Sequence, residues 1–173
     1  MHGGRTSHPD LIDGANPEAP SAFDWGGTVR GFAGKMDAPI PRELKKEELP
    51  RIVDEFRQGA RRAIDAGVDG VEIHGANGYL LHEFMAPSAN KREDEFGGSP
   101  ENRWRLPEMV IRAVAEEIGA DRVGVRFSPA HNVQGVIEDD QEDMLATYGG
   151  LLDALAPLNL AYVSLLHGEP DSE

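Results

Sequence analysis

His74, Asn77 and Tyr79 place three hydrogen-bonding side chains within six residues, in the run Gly70-Val-Glu-Ile-His-Gly-Ala-Asn-Gly-Tyr-Leu-Leu81. An imidazole and a carboxamide can each donate to one oxygen and stabilise charge that develops there. A phenol close by can deliver a proton from another direction. The set suits the oxygen of a polarised carbonyl. Gly75 and Gly78 are expected to let the backbone turn tightly and to leave room for a flat ligand. Each residue also has a plainer reading. His74 alone fits a satisfied structural histidine, and Tyr79 alone fits a loop aromatic capping a helix layer. Arg126, on a later apolar run, fits an internal ion pair with Glu72.

The elements that must carry these residues are readable from periodicity. Leu49, Ile52, Val53, Phe56, Ala60, Ala63 and Ile64 recur at three- and four-residue spacing, which predicts an amphipathic helix with Pro50 in its first turn and Gly67 at its stop. Val68 to His74 reads as a short strand, with Val71 and Ile73 on one face and Gly70, Glu72 and His74 on the other. Residues 82–99 read as a polar loop. Ser99-Pro100 then supplies a cap and a first helical residue. Met109, Val110, Ala113, Val114 and Ile118 continue that helix to Gly119, and Pro107 predicts a kink or a later start. A second strand, Val123 to Ser128, puts Val123, Val125 and Phe127 opposite Gly124, Arg126 and Ser128. A third helix is expected over roughly 140–156, with Glu138, Asp139 and Asp140 as its solvated acidic start. A third strand covers Ala161 to Leu166. Residues 1–41, rich in Gly, Pro, Ser and Asp, read as irregular, either a functional loop or a flexible tail.

Strands alternating with amphipathic helices imply parallel βα units, hence an α/β fold. His74 and Arg126 share the strand face opposite the apolar one. In a (β/α)₈ barrel that face points inward, and functional groups gather at the C-terminal strand ends. No glycine-rich dinucleotide fingerprint follows any strand, which weighs against a Rossmann domain. The expected organisation is a single domain over 1–173, with 1–41 irregular and 42–173 carrying the βα units.

Composition narrows the partners. Asp and Glu total 31 against 17 Lys and Arg, a net charge of −14. Nucleic acid and anionic membrane surfaces both repel such a chain. Hydrophobic residues at 39% suit a globular fold, and the absence of cysteine removes disulfides, thiolate metal sites and a cysteine nucleophile. No apolar run reaches the ~20 residues of a membrane span, and no signal-peptide profile opens the chain, so a cytoplasmic protein is expected. His2, His8, His74, His82, His131 and His167 form no ligand pair of helical spacing, so no metal is expected; His82 and His131 read as solvated loop residues. Gly97-Gly98 lacks the lysine of a phosphate-binding loop.

The longer motifs carry a resemblance. Asp69-Gly-Val-Glu-Ile-His-Gly-Ala-Asn-Gly-Tyr-Leu-Leu81 resembles the fourth-strand signature of the old yellow enzyme family of flavin-dependent ene-reductases. Pro87-Ser-Ala-Asn-Lys-Arg-Glu-Asp-Glu-Phe-Gly-Gly-Ser99 and Glu101-Asn-Arg103 resemble its following loop and helix start, with Phe96 where the family usually has tyrosine. Arg122-Val-Gly-Val-Arg-Phe-Ser-Pro129 resembles its fifth strand. His2-Gly-Gly-Arg5 with Ser7-His-Pro-Asp10, and Ala19-Pro-Ser21, resemble the segment leaving its third strand.

The resemblance implies a (β/α)₈ barrel with FMN at its C-terminal mouth and NAD(P)H as reductant. It implies that His74 and Asn77 bind the carbonyl oxygen of an α,β-unsaturated, electron-poor alkene, and that Tyr79 is the proton donor. It places Arg126 against the flavin's pyrimidine edge, where a fixed positive charge favours the reduced ring, with His74 as a second cofactor contact. It also implies a partial chain. Such barrels hold about 250 residues plus insertions, whereas this sequence would supply strands four to six. A flavin-binding glutamine expected just before His2 is absent, and the phosphate-binding strands would lie beyond Glu173. The alternative expectation is therefore a fragment that does not bind FMN by itself. Its exposed parallel edges predict self-association.

Overall fold

The computed structural model describes residues 3–166. Met1, His2 and 167–173 lie outside the described residues, and with them His2 and His167 as potential ligands. In chain order the elements are β1 (Glu18–Ala19), β2 (Thr28–Gly31), β3 (Gly34–Asp37), β4 (Arg42–Glu43), α1 (Leu49–Asp65), β5 (Val71–Gly75), α2 (Leu80–Met85), α3 (Pro100–Ile118), β6 (Val123–Phe127), α4 (Gln141–Leu155) and β7 (Tyr162–Leu165). The central sheet has the order β5-β6-β7, all parallel.

The helices begin and end where local chemistry allows. Pro50 sits in the first turn of α1, and Gly67 beyond its end has φ +90°. Ser99 Oγ accepts from Asn102 N–H at 3.3 Å to cap α3, and Asp140 Oδ1 accepts from Glu142 and Asp143 N–H at 3.0 and 3.1 Å to cap α4. α3 runs unbroken from Pro100 through Pro107, so the later start does not occur. Pro107 costs the helix one N–H donor, but it is buried with Leu106, and packing holds the helix together there.

One face of the sheet is dry. Ile73, Val123, Val125 and Phe127 meet Leu106, Val110, Ile111 and Val114 of α3 and Leu151 of α4 in a single core. Each such side chain contributes roughly 1.5–3 kcal/mol on burial. α1 and α4 flank α3 on that face.

Two expectations need correction. The polar loop read over residues 82–99 begins only at Ala86, because 82–85 belong to a helix. Leu80 to Met85 form α2 with every residue buried, and the following segment is pinned from within. Asn90 Nδ2 donates to Phe84 O at 2.8 Å and to Phe96 O at 2.7 Å, and Arg103 Nε donates to Met85 O at 2.7 Å. The polar side chains are spent on the segment's own carbonyls, which is what allows polar sequence to lie buried. Of the two readings of residues 1–41, the flexible tail does not hold for 3–41. β1 pairs in parallel with β4, β2 and β3 form an antiparallel hairpin, and Arg5 is 1% exposed. These strands are too short to show periodicity.

β5 and β7 each leave one side of the sheet unpaired, and β7 exposes Tyr162, Val163 and Leu165. The sheet is an open arc of the parallel βα architecture, where closure takes about eight strands. Among the described residues no helix is long and apolar enough to cross a membrane.

Candidate functional site

The face of the sheet away from the helices carries two rows of residues set by register. Glu72, Gly124 and Tyr162 are neighbours across β5, β6 and β7, and His74, Arg126 and Ser164 form the next row. His74 and Arg126 therefore share a face as direct cross-strand partners. In the first row the Tyr162 hydroxyl donates to Glu72 Oε2 at 3.0 Å. It reaches there by lying over Gly124, where a Cβ would fall 2.2 Å from the phenol ring. Arg126 Nε lies 3.0 Å from Glu72 Oε1, so the ion pair read from the sequence is present. The N–H is not aligned as a hydrogen bond and has no other acceptor, so attraction between charges holds the pair. The Tyr162 hydroxyl is held above its usual range by that bond to Glu72. The sequence marked Tyr162 only as a strand residue; its parity with Ser164 was the signal that it faces the site.

β5 ends at Gly75, and the chain turns before α2. Asn77 (φ +56°) and Gly78 (φ +75°) are consecutive left-handed residues, so they make the turn. Gly75 has a different role from the one expected. A Cβ there would lie 2.9 Å from the Phe127 ring, so its bareness admits a core aromatic rather than a ligand. The His74 and Tyr79 rings sit 5.4 Å apart, tilted by 56°. Both line a cavity of about 630 Å³ at the open edge of β5, together with Gly3, Glu72, Phe56, Ala60 and Val114. Partial burial, and then the neighbouring Arg126 charge, hold the His74 imidazole below its ordinary pKa, with Glu72 opposing. At neutral pH it is an uncharged ring with one N–H to donate. Asn77 Oδ1 is buried without a partner.

Behind the turn lies a sealed polar cluster that sequence reasoning misplaced. His82, expected in solvent, is 0% exposed, and Glu138, expected on a solvated helix start, is 8% exposed. His82 Nδ1 accepts from Gly78 N–H at 3.0 Å, and its Nε2 lies 3.2 Å from Glu138 Oε2, again without hydrogen-bond alignment. Tyr148 Oη donates to both Glu138 oxygens at 3.0 and 3.1 Å, and Ala130 N–H donates to Oε2 at 3.1 Å. Burial and then Glu138 push the Tyr148 phenol strongly upward. A signal for His82 was available, since it lies within Leu80-Leu-His-Glu-Phe-Met85, apolar on both sides. No local signal marked Glu138; its partners arrive from α2 and α4.

The flavin implied by the resemblance can be tested against these residues. An isoalloxazine has flat faces and an edge of alternating acceptors and N–H. Arg126 offers donors at such an edge, neutral His74 offers one more, and the Asn77 carboxamide carries a buried acceptor that nothing among the described residues satisfies. These fit the ring. Among the described residues, the inward positions of β5, β6 and β7 hold no second cation beside Arg126 that would grip a phosphate. Nor do the described residues gather three or more His, Cys, Asp or Glu as a metal site.

Comparisons with known proteins show the family. The profile of the NADH:flavin oxidoreductase / NADH oxidase family matches residues 1–166. 12-Oxophytodienoate reductase 1 of Oryza sativa subsp. japonica is 56% identical over 100 residues, which is 58% of this chain and 26% of the reductase. The solved old yellow enzyme homologue from Zymomonas mobilis superposes with a TM-score of 0.91 at 38% identity, over 98% of this chain and 47% of that one. Morphinone reductase in complex with tetrahydroNAD gives a TM-score of 0.83 at 40% identity, over 99% of this chain and 48% of that one. The chain thus spans about half the length of these solved relatives.

Proposed function

Because this chain belongs to the NADH:flavin oxidoreductase / NADH oxidase family, we propose that it supplies the substrate-facing arc of an FMN-dependent, NAD(P)H-driven ene-reductase. The substrate class is a small electron-poor alkene, the activated C=C bond of an α,β-unsaturated carbonyl compound. His74 and Asn77 donate to the carbonyl oxygen and draw electron density from the β-carbon. Tyr79 supplies the proton to the α-carbon. Arg126, held in register beside His74, would border the flavin with it. Bound FMN would supply the hydride, drawn in turn from NAD(P)H. The observation that carries this reading is the His74–Tyr79 ring pair with Arg126 as the direct cross-strand neighbour of His74. The depressed pKa of His74 supports it, since a neutral imidazole donates one hydrogen bond without becoming a competing acid.

A second reading is favoured by the open sheet edges and by the lack, among the described residues, of a second cation at the inward positions of β5, β6 and β7. On it, the chain is a piece of such an enzyme that does not hold FMN alone. One experiment separates the two. The purified chain is mixed with FMN, passed through gel filtration and then assayed with NADPH and a simple cyclic enone. Co-eluting flavin absorbance and enone reduction that Tyr79→Phe slows would establish the first reading. A colourless protein would establish the second.

A further inference from the structure

The Asn77-Gly78 turn stands in a conformation that few residues adopt, so something must hold it. Its backbone is gripped from outside. Asn77 N–H donates to Ser128 Oγ at 2.8 Å, and Asn77 O accepts from Gln134 Nε2 at 2.8 Å. A Cβ on Gly78 would fall 2.8 Å from Gln134 Cβ, so no larger residue fits that turn. The remaining donor, Gly78 N–H, goes to His82 Nδ1. An N–H can donate only to an imidazole nitrogen that carries no proton, so this bond sets the tautomer: Nδ1 bare, Nε2 protonated. Nε2 then faces Glu138, which Tyr148 and Ala130 hold in turn.

We propose that His82 is a positioning residue that fixes the Asn77–Tyr79 turn through its Nδ1 acceptor, with Glu138, itself held by Tyr148, lying against Nε2. His82 touches neither His74 nor Tyr79 in ring contact; it acts through the Gly78 amide, which sits between Asn77 and Tyr79. What the turn does for substrate rests on the proposed function. That the turn is held this way does not.

The test separates the two ring nitrogens. His82→Asn puts an amide oxygen near the place of Nδ1 and leaves Glu138 to Tyr148 and Ala130 alone. His82→Gln puts an amide group near the place of Nε2 and leaves Gly78 N–H without its acceptor. Amide exchange at Gly78, followed by NMR on the full chain, should quicken by about tenfold or more in His82→Gln and change by less than about threefold in His82→Asn, as expected for loss of one buried hydrogen bond. Urea midpoints measured alongside correct for any general loosening. Imidazole ¹⁵N shifts of the unsubstituted chain give a second readout that needs no variant to fold, and they should show the bare Nδ1 that the Gly78 N–H bond requires. Equal exchange in both variants, or a protonated Nδ1, would overturn the proposal. If the chain loads FMN, His82→Gln should lower enone turnover while keeping its flavin, and His82→Asn should recover most of it. A colourless chain would remove the functional reading and leave the exchange result standing.

Discussion

The two sides of residues 75–82 are built on opposite rules. In front, Glu72, His74, Arg126 and Tyr162 are partly open to solvent and share one ion pair and one hydrogen bond. Behind, Ser128, His82, Glu138 and Tyr148 are sealed, with Glu138 receiving donors from α4 and from the loop after β6. The rear cluster rigidifies a left-handed turn, and the front presents polar groups with hydrogen-bonding capacity to spare. A site that must bind something needs both, because spare capacity is useful only when the groups bearing it are held still.

Mutations should separate the two sides by their cost. Glu138→Ala leaves the Tyr148 hydroxyl and the Ala130 amide unpaired in a dry site, so urea unfolding should show a loss of about 3 kcal/mol. Equal stability would mean that water reaches the cluster freely. Gly75→Ala pushes a methyl toward the buried Phe127 ring and should cost about 1–3 kcal/mol by the same measurement. On the front, Glu72→Gln removes a pair exposed to solvent and should stay within about 1 kcal/mol of the parent. A larger loss there would erase the contrast.

A pH experiment sharpens the comparison further. Glu83, on α2 and wholly buried, has its carboxyl pushed up to about 8 by burial, which the charge and backbone N–H of Arg5 only partly oppose. Its Oε1 accepts from Arg5 N–H at 2.9 Å, and its buried Oε2 has no partner among the described residues. The folded state therefore keeps a proton that the unfolded chain gives up near its ordinary value of 4.5. Stability from this group is complete below about pH 4.5 and is lost as pH rises through about 8. Glu83→Gln retains the acceptor for Arg5 N–H and should flatten that slope in denaturant midpoints taken across the range. The smallest effect belongs to the front. Arg126→Leu removes a cation facing His74, so the NMR titration midpoint of His74 should move up toward 6.5. No movement would show that burial alone depresses it.

Legibility followed the same division. β5, β6, α1, α3 and α4 were readable because each buries one side, and a period of two or of 3.6 records that. The shared parity of His74 and Arg126 was readable for the same reason. α2 was not, because it is buried all round and has no polar face to set a period. The β2–β3 hairpin was too short. The carboxylates at 138–140 looked alike in sequence. Asp140 does cap α4, while Glu138 turns inward to Tyr148 and His82, residues that lie 10 positions after it and far before it in the chain.

Sequence alone determined which residues could do chemistry and on which side of a strand each would stand, because alternation along an extended chain is a local property of the backbone. Tertiary structure decided which polar groups are satisfied and which are left wanting. His82 and Glu138 became a buried brace, and Asn77 kept an unpaired acceptor, because hydrogen-bond partners are chosen by proximity in space, where residues distant in the chain compete on equal terms.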